Sequence, residues 1–135
     1  MRTASRLWTL VALLTLTLGL ATAAAAGSAA ESRPLVVKIH ADWCGTCQML
    51  GPTWERVEKE LAKEAQLVTL DVTDRSAVER SAATAAALGI SPFFEKNRDR
   101  LGTIAVLRAG SREPVEVFHG ELDFVAYVDA VRRAQ

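Results

Sequence analysis

The chain's only two cysteines stand three residues apart in Trp43-Cys44-Gly45-Thr46-Cys47, just after the apolar run Leu35-Val36-Val37-Lys38-Ile39. A short, almost wholly apolar run of this kind reads as a strand buried on both faces. The sequence after Cys47 has helical spacing, so the pair falls where a strand gives way to a helix. That junction suits a redox dithiol. A helix start supplies unpaired N–H groups and a partial positive charge, and both favour thiolate over thiol. The thiolate is the species that attacks disulfides. Two intervening residues let the second sulfur reach back and close a small ring. Cys44 is the expected exposed nucleophile, and Cys47, one turn into the helix, the shielded resolving thiol.

The N-terminus bears on compartment. Arg2 and Arg6 form a positive start, and Leu7 to Leu20 is apolar apart from three threonines and a glycine. Ala21-Thr22-Ala23 and Ala24-Ala25-Ala26 both fit an A-x-A cleavage pattern. Residues 1–26 therefore read as a secretory signal peptide, 27–34 as a linker and 35–135 as the folded domain. The expected location is periplasmic or otherwise extracytoplasmic. The alternative is an uncleaved anchor, since Leu7 to Gly27 just reaches across about 30 Å of bilayer, although its Ala-rich end is weakly hydrophobic. No cysteine lies in this segment, which excludes lipid attachment through one.

Without the leader, fourteen Lys+Arg face sixteen Asp+Glu, a net charge of −2. That balance argues against a nucleic-acid or anionic-membrane surface. Roughly 105 residues remain, enough for one small domain with a core. An oxidising compartment supports several structural disulfides, yet only one pair exists, closing a loop far shorter than a stabilising staple would. The pair looks catalytic.

After a strand at Leu35–His40, a helix is expected over Thr46–Lys63, with Met49, Leu50, Trp54, Val57 and Leu61 as its apolar stripe and a kink at Pro52. A second strand is expected over Gln66–Val72. The next helix, capped by Asp74 or Ser76, runs to Leu88 and stops at Gly89. Thr103–Arg108 and Val115–His119 form a hairpin turned by Ala109–Pro114. A last helix begins near Asp123, burying Phe124, Val125, Val128 and Val131. Trp54, Phe118, Phe124 and Tyr127 are core candidates, and the alternating charges of Glu55–Glu64 suggest i,i+4 pairing. The order β-α-β-α-β-β-α predicts an α/β fold, a central mixed sheet flanked by helices.

The run Ala41-Asp42-Trp43-Cys44-Gly45-Thr46-Cys47, Pro52 five residues beyond the second cysteine, Leu88-Gly89-Ile90 and Gly120 together resemble the thioredoxin-fold family over residues 35–135, with 91–102 irregular. The Ala-Asp-Trp-Cys form is similar to the thioredoxin-like domains of exported bacterial reductases. Few residues precede Leu35, so the first strand and helix of full members are expected to be missing. The resemblance implies a thiol-disulfide oxidoreductase acting on protein disulfides or dithiols, without cofactor beyond the Cys44–Cys47 disulfide. It also implies a monomer, with Trp43 covering the disulfide and a membrane electron donor upstream.

Three departures qualify that resemblance. Family members carry a buried carboxylate six residues before the first cysteine, and here Lys38 stands in its place. Lys38 and His40 share a strand face. Beneath the cysteines, a cation would stabilise the Cys44 thiolate and make the disulfide a better oxidant; otherwise Lys38 snorkels to solvent from a strand end. His40 reads as a packed, hydrogen-bonded histidine rather than a proton shuttle. The family's cis-proline, which contacts substrate backbone and keeps metals off the cysteines, has no counterpart before Thr103. Either Gly102 takes that place, the favoured reading, or Pro92 does, followed by an inserted Pro92–Arg100 segment read as a solvated loop with two anchoring phenylalanines. Finally, Gly45-Thr46 is neither the Gly-Pro of thioredoxins nor the Pro-His or Gly-His of oxidants and isomerases.

Three function classes follow. The first is an exported oxidoreductase that reduces rather than oxidises its partners; bulk oxidants usually carry an inserted helical domain, which this chain lacks. The second is a copper- or zinc-binding module using the two thiolates with His40 or His119. The third is a non-catalytic interaction domain. Attachment of c-type haem is excluded because Gln48 rather than His follows Cys47.

Overall fold

A computed structural model describes residues 32–135. The expected signal peptide and most of the linker lie outside the described residues. The elements are β1 (Leu35–His40), α1 (Gly45–Met49), α2 (Gly51–Leu61), β2 (Gln66–Asp71), α3 (Arg75–Ala87), α4 (Ser91–Asn97), β3 (Thr103–Leu107), β4 (Pro114–His119) and α5 (Phe124–Arg133). The strands form one mixed sheet in the order β2-β1-β3-β4. β1 runs parallel to β2 and antiparallel to β3, and β4 closes the hairpin with β3.

β1 is central, which explains its apolar sequence: Leu35, Val36, Val37 and Ile39 are completely buried. Its alternate side chains enter two cores. Val36, with Ile104 and Val106 of β3, packs against Trp54, Val57 and Leu61 of α2 and Tyr127, Ala130 and Val131 of α5. Leu35, Val37 and Ile39, with Ala105 and Leu107, pack against Ala85 of α3 and Phe94 of α4. Tyr127 is fully buried, meets Phe118 edge-on at 4.8 Å and donates its hydroxyl to the Glu121 carbonyl at 2.6 Å. Burial raises its pKa, with the nearby Glu121 charge adding to the shift. Phe118 and Phe124 are half-buried, and the Arg56 guanidinium covers the Phe124 ring at 4.0 Å. Arg56 also pairs with Glu60 at 2.8 Å, the i,i+4 contact expected on this face.

Several expectations need correction. The single kinked helix over Thr46–Lys63 is two helices, α1 and α2, separated at Leu50. Pro52 sits in the first turn of α2, where its missing N–H costs nothing. Met49 and Val125, expected on apolar faces, are exposed, 64% and 58% respectively. The irregular stretch 91–102 contains α4. Pro92 again occupies a first helical turn, Phe94 is fully buried, and Asn97 donates its side-chain N–H to the Phe93 carbonyl at 2.8 Å. The segment is a packed helix, not a solvated loop. The caps are as read: Asp74 accepts from the Ala77 N–H at 2.8 Å, and Gly89 ends α3 in the left-handed region at φ 71°.

Candidate functional site: the Cys44–Cys47 dithiol and its two walls

Cys44 is the N-cap of α1, in extended conformation, and is joined to Cys47 as a disulfide. The chain reaches it through a turn in which the Cys44 N–H donates to the Ala41 carbonyl at 3.1 Å. The Cys47 N–H, one of the donors a helix start leaves free, points at Cys44 Sγ at 3.1 Å. On reduction that donor stabilises a Cys44 thiolate. Cys44 is 7% exposed and Cys47 1%, so the order of exposure is as expected, although Cys44 is itself mostly covered. Ala41, Val72 and Leu101 pack around the pair, and Cys47 Sγ lies 3.9 Å from the Ile39 carbonyl oxygen.

One side of the dithiol loop is a polar wall. Trp43 donates its indole N–H to the Thr73 carbonyl at 3.0 Å, and the Asp42 N–H donates to Thr73 Oγ1 at the same distance. Thr73 is in turn fixed by Asp71 Oδ1, which accepts from its backbone N–H at 2.9 Å and its hydroxyl at 2.5 Å. Partial burial pushes the Asp71 pKa up. The two Thr73 hydrogen bonds, with His40 and Arg80 nearby, outweigh that effect and hold the carboxyl below its ordinary value. Gln48 donates to the Asp42 carbonyl at 3.0 Å, and His40 Nε2 lies 3.2 Å from Asp42 Oδ1. His40 Nδ1 is buried without a hydrogen-bond partner among the described residues. Trp43 remains 65% exposed beside a pocket of about 240 Å³ lined by Val72, Val78, Arg98, Asp99 and Leu101.

The other side is a backbone wall. Gly102, at φ 74°, donates its N–H to the Ile39 carbonyl at 3.2 Å and accepts from the Gly120 N–H at 3.1 Å. A β-carbon at Gly102 would stand 2.7 Å from Thr46 Cγ2, so Gly102 lies directly against the dithiol's intervening residues. Pro92 does not. It lines a separate pocket with Gly89, Phe93 and Val117. No peptide bond among the described residues is cis.

The family model for thioredoxin matches residues 24–95, more than half of the chain. The chain belongs to the thioredoxin family. A thioredoxin-like protein of Synechocystis sp. is 40% identical over 47 residues, 35% of this chain and 44% of that protein. An H-type thioredoxin of Chlamydomonas reinhardtii is 33% identical over 69 residues, 51% of this chain and 58% of that one. The chain thus spans less than two thirds of these relatives' length. The solved structure of Fasciola hepatica thioredoxin has the same fold, with a TM-score of 0.52 at 23% identity, covering 77% of this chain and 83% of the other.

Lys38 is a buried lysine in the central strand. It lies mid-strand, in register with Thr69 and Ile104, and is 5% exposed, so it does not snorkel from a strand end. Its ammonium rests over the Trp54 ring at 5.4 Å. Burial lowers its pKa, an effect Glu58 partly offsets. Neither sulfur is hydrogen-bonded to it among the described residues. His119 pairs with Thr103 in the β3–β4 ladder, and no group of three or more His, Cys, Asp or Glu among the described residues is arranged to hold a metal. Sequence reasoning passed over Thr73 and Asp71. An Asp-x-Thr at a strand end signals a local side-chain turn, but nothing in it says the turn will carry Trp43.

Proposed function

We propose that this thioredoxin-family chain is an exported, monomeric thiol-disulfide oxidoreductase that reduces disulfides in partner proteins. The observation that carries the reading is the Cys44–Cys47 pair at the β1–α1 junction. Its N-cap sulfur accepts the Cys47 N–H, and its second sulfur is the more deeply buried. In the reduced protein, the Cys44 thiolate attacks a partner disulfide, forms a mixed disulfide and expels one partner thiolate. Cys47, after losing its proton, attacks Cys44 Sγ and releases the second partner thiolate. Two electrons have then passed to the partner, and the Cys44–Cys47 disulfide remains.

Exposed Trp43 and the pocket beside it offer the partner an apolar docking point. An upstream membrane-bound dithiol donor re-reduces the enzyme, and no bound cofactor takes part. Export is supported by the basic, apolar and A-x-A succession in residues 1–26. The decisive measurement is the equilibrium of the dithiol against graded glutathione buffers. A midpoint near about −270 mV is expected of a reductase, whereas one near about −120 mV reverses the direction. A Cys44→Ser variant should lose all reduction of a disulfide-bonded test protein; retained reduction would remove Cys44 from the role of nucleophile. Sequencing the N-terminus of protein recovered from outside the cytoplasm should find residues 1–26 gone, and an intact start would replace cleavage with anchoring.

A further inference from the structure

On one face, the sheet is not covered out to its edge. Ala105 of β3 lies in the core beneath α3 and α4, and its cross-strand partner Val117, on the edge strand β4, shares that face. Val117 is nonetheless 45% exposed. Between it and α4 lies a cleft of about 490 Å³, a size suited to a ligand rather than to a few waters. Phe93 of α4 and Pro114 of β4 extend its apolar surface. No residue lining this cleft also lines the pocket beside Trp43.

The charge of the cleft is one-sided. Lys96, Arg100 and Arg112 line it against a single carboxylate, Glu113, although the chain beyond residue 26 carries a net charge of −2. Lys96 and Arg100 make no ion pair or side-chain hydrogen bond among the described residues. Arg112 is held in place, its guanidinium donating to the Arg33 carbonyl at 3.1 Å and to Gln66 Oε1 at 3.4 Å. Its backbone, at φ 58°, is the only left-handed one outside glycine among the described residues, a conformation that costs free energy. Asn97 also lines the cleft and is only 5% exposed. Its amide N–H is spent on the Phe93 carbonyl, and its side-chain oxygen accepts no hydrogen bond among the described residues. Buried acceptors are ordinarily satisfied, so this oxygen calls for a donor from the cleft.

We propose that the cleft between α4 and β4 is a second binding site, one that takes a short acidic and apolar peptide segment of a partner protein. A carboxylate of the segment meets Lys96 and Arg100, with the fixed Arg112 charge behind them. An apolar side chain lies against Phe93, Pro114 and Val117, and a backbone N–H donates to the free Asn97 oxygen. Acid, apolar body and N–H recur together along a peptide. A simple fatty acid brings only the first two and leaves the Asn97 oxygen unpaired. The site goes beyond the dithiol chemistry and does not depend on it.

The test is calorimetric titration of the full chain, its cysteines oxidised, with an end-capped hexapeptide of alternating leucine and glutamate. The peptide should bind, and replacing its glutamates with glutamine should weaken binding about tenfold. Lys96→Gln combined with Arg100→Gln, both at exposed positions, should weaken it to a similar extent. Val117→Asp should do the same by repulsion. Lys59→Gln combined with Lys63→Gln makes the same charge change outside the cleft and should stay within about twofold of the parent, since distant exposed charges are screened. Octanoate, an apolar acid without an N–H, should bind at least about tenfold more weakly than the peptide. In amide NMR spectra the peptide should shift Phe93, Asn97 and Val117. A parent that does not bind the acidic peptide overturns the proposal, as does equal binding of the glutamine peptide or of octanoate. So does an equal loss in the Lys59 and Lys63 variant, or a set of shifts confined to Trp43 and Thr46, which would place the peptide at the dithiol.

Discussion

The dithiol loop is held on one side by hydrogen bonds and on the other by the absence of side chains. On the Thr73 side, Asp42, Trp43 and Asp71 share four hydrogen bonds through one threonine, near the surface. On the Gly102 side, two glycines give their side-chain space to the Thr46 methyl. The first wall is graded: each bond is worth about 1 kcal/mol net, and water can replace a lost partner. The second is steeper, because a carbon added at Gly102 would stand 2.7 Å from the Thr46 methyl and one of the two must shift.

The sharpest test of that contrast is Gly102→Val. It places a β-branched residue in the left-handed region and drives its β-carbon into Thr46, so we expect a loss of about 3 kcal/mol in urea unfolding. A variant as stable as the parent would show that the backbone wall is pliable. Thr73→Val, which keeps shape and removes the hydroxyl, should cost about 1–2 kcal/mol. It also carries a pH signature. Asp71 has a folded-state pKa below its ordinary 3.8, so its contribution is present above pH 3.8 and disappears as pH falls through the lowered value. Thermal unfolding between pH 5 and 2 should show a shallower acid loss in Thr73→Val than in the parent; identical slopes would take Thr73 out of the account.

Lys38 belongs to neither wall and provides a reference between them. Its pKa is lowered on folding, so the unfolded chain holds the proton over a range where the folded one does not. Stability should therefore rise with pH from the folded-state value up to about 10.5, the ordinary value. Lys38→Met removes the buried charge and should stabilise the protein at pH 7 by about 1 kcal/mol, without that alkaline rise. A destabilised Lys38→Met would mean the ammonium over Trp54 is a net attraction. The smallest effect is expected from Trp43→Phe. It deletes one surface hydrogen bond to Thr73, so less than about 1 kcal/mol should be lost on thermal unfolding. A larger loss would make the polar wall as brittle as the glycine one.

What was legible in advance follows from the range of the interactions concerned. Asp74 as a candidate cap, a helix start near Asp123, Gly89 as a stop and Leu35–His40 as a buried strand all depend on neighbours a few residues away, and all are found. Pro52 and Pro92 carry a local signal, a helix start, whose meaning was harder to place. One was expected to kink a helix and the other to sit in a loop, and both begin helices instead. Periodicity also put Met49 and Val125 on buried faces. Whether a helix face is covered depends on what packs there, and among the described residues these two stay exposed.

The amino-acid sequence by itself determined that two cysteines would meet across one helical turn at the end of a buried strand. Spacing and apolarity act along the chain, and no distant residue is needed to express them. Tertiary structure alone decided what surrounds them. Thr73 reaches Asp42 and Trp43 from about thirty positions away, and Gly102 and Gly120, at the open end of the β3–β4 hairpin, meet Thr46 from 56 and 74 positions away. A threonine and two glycines carry no mark of such contacts. A hydroxyl becomes a strut, and a missing side chain becomes a socket, only when folding brings the partner within a few ångströms.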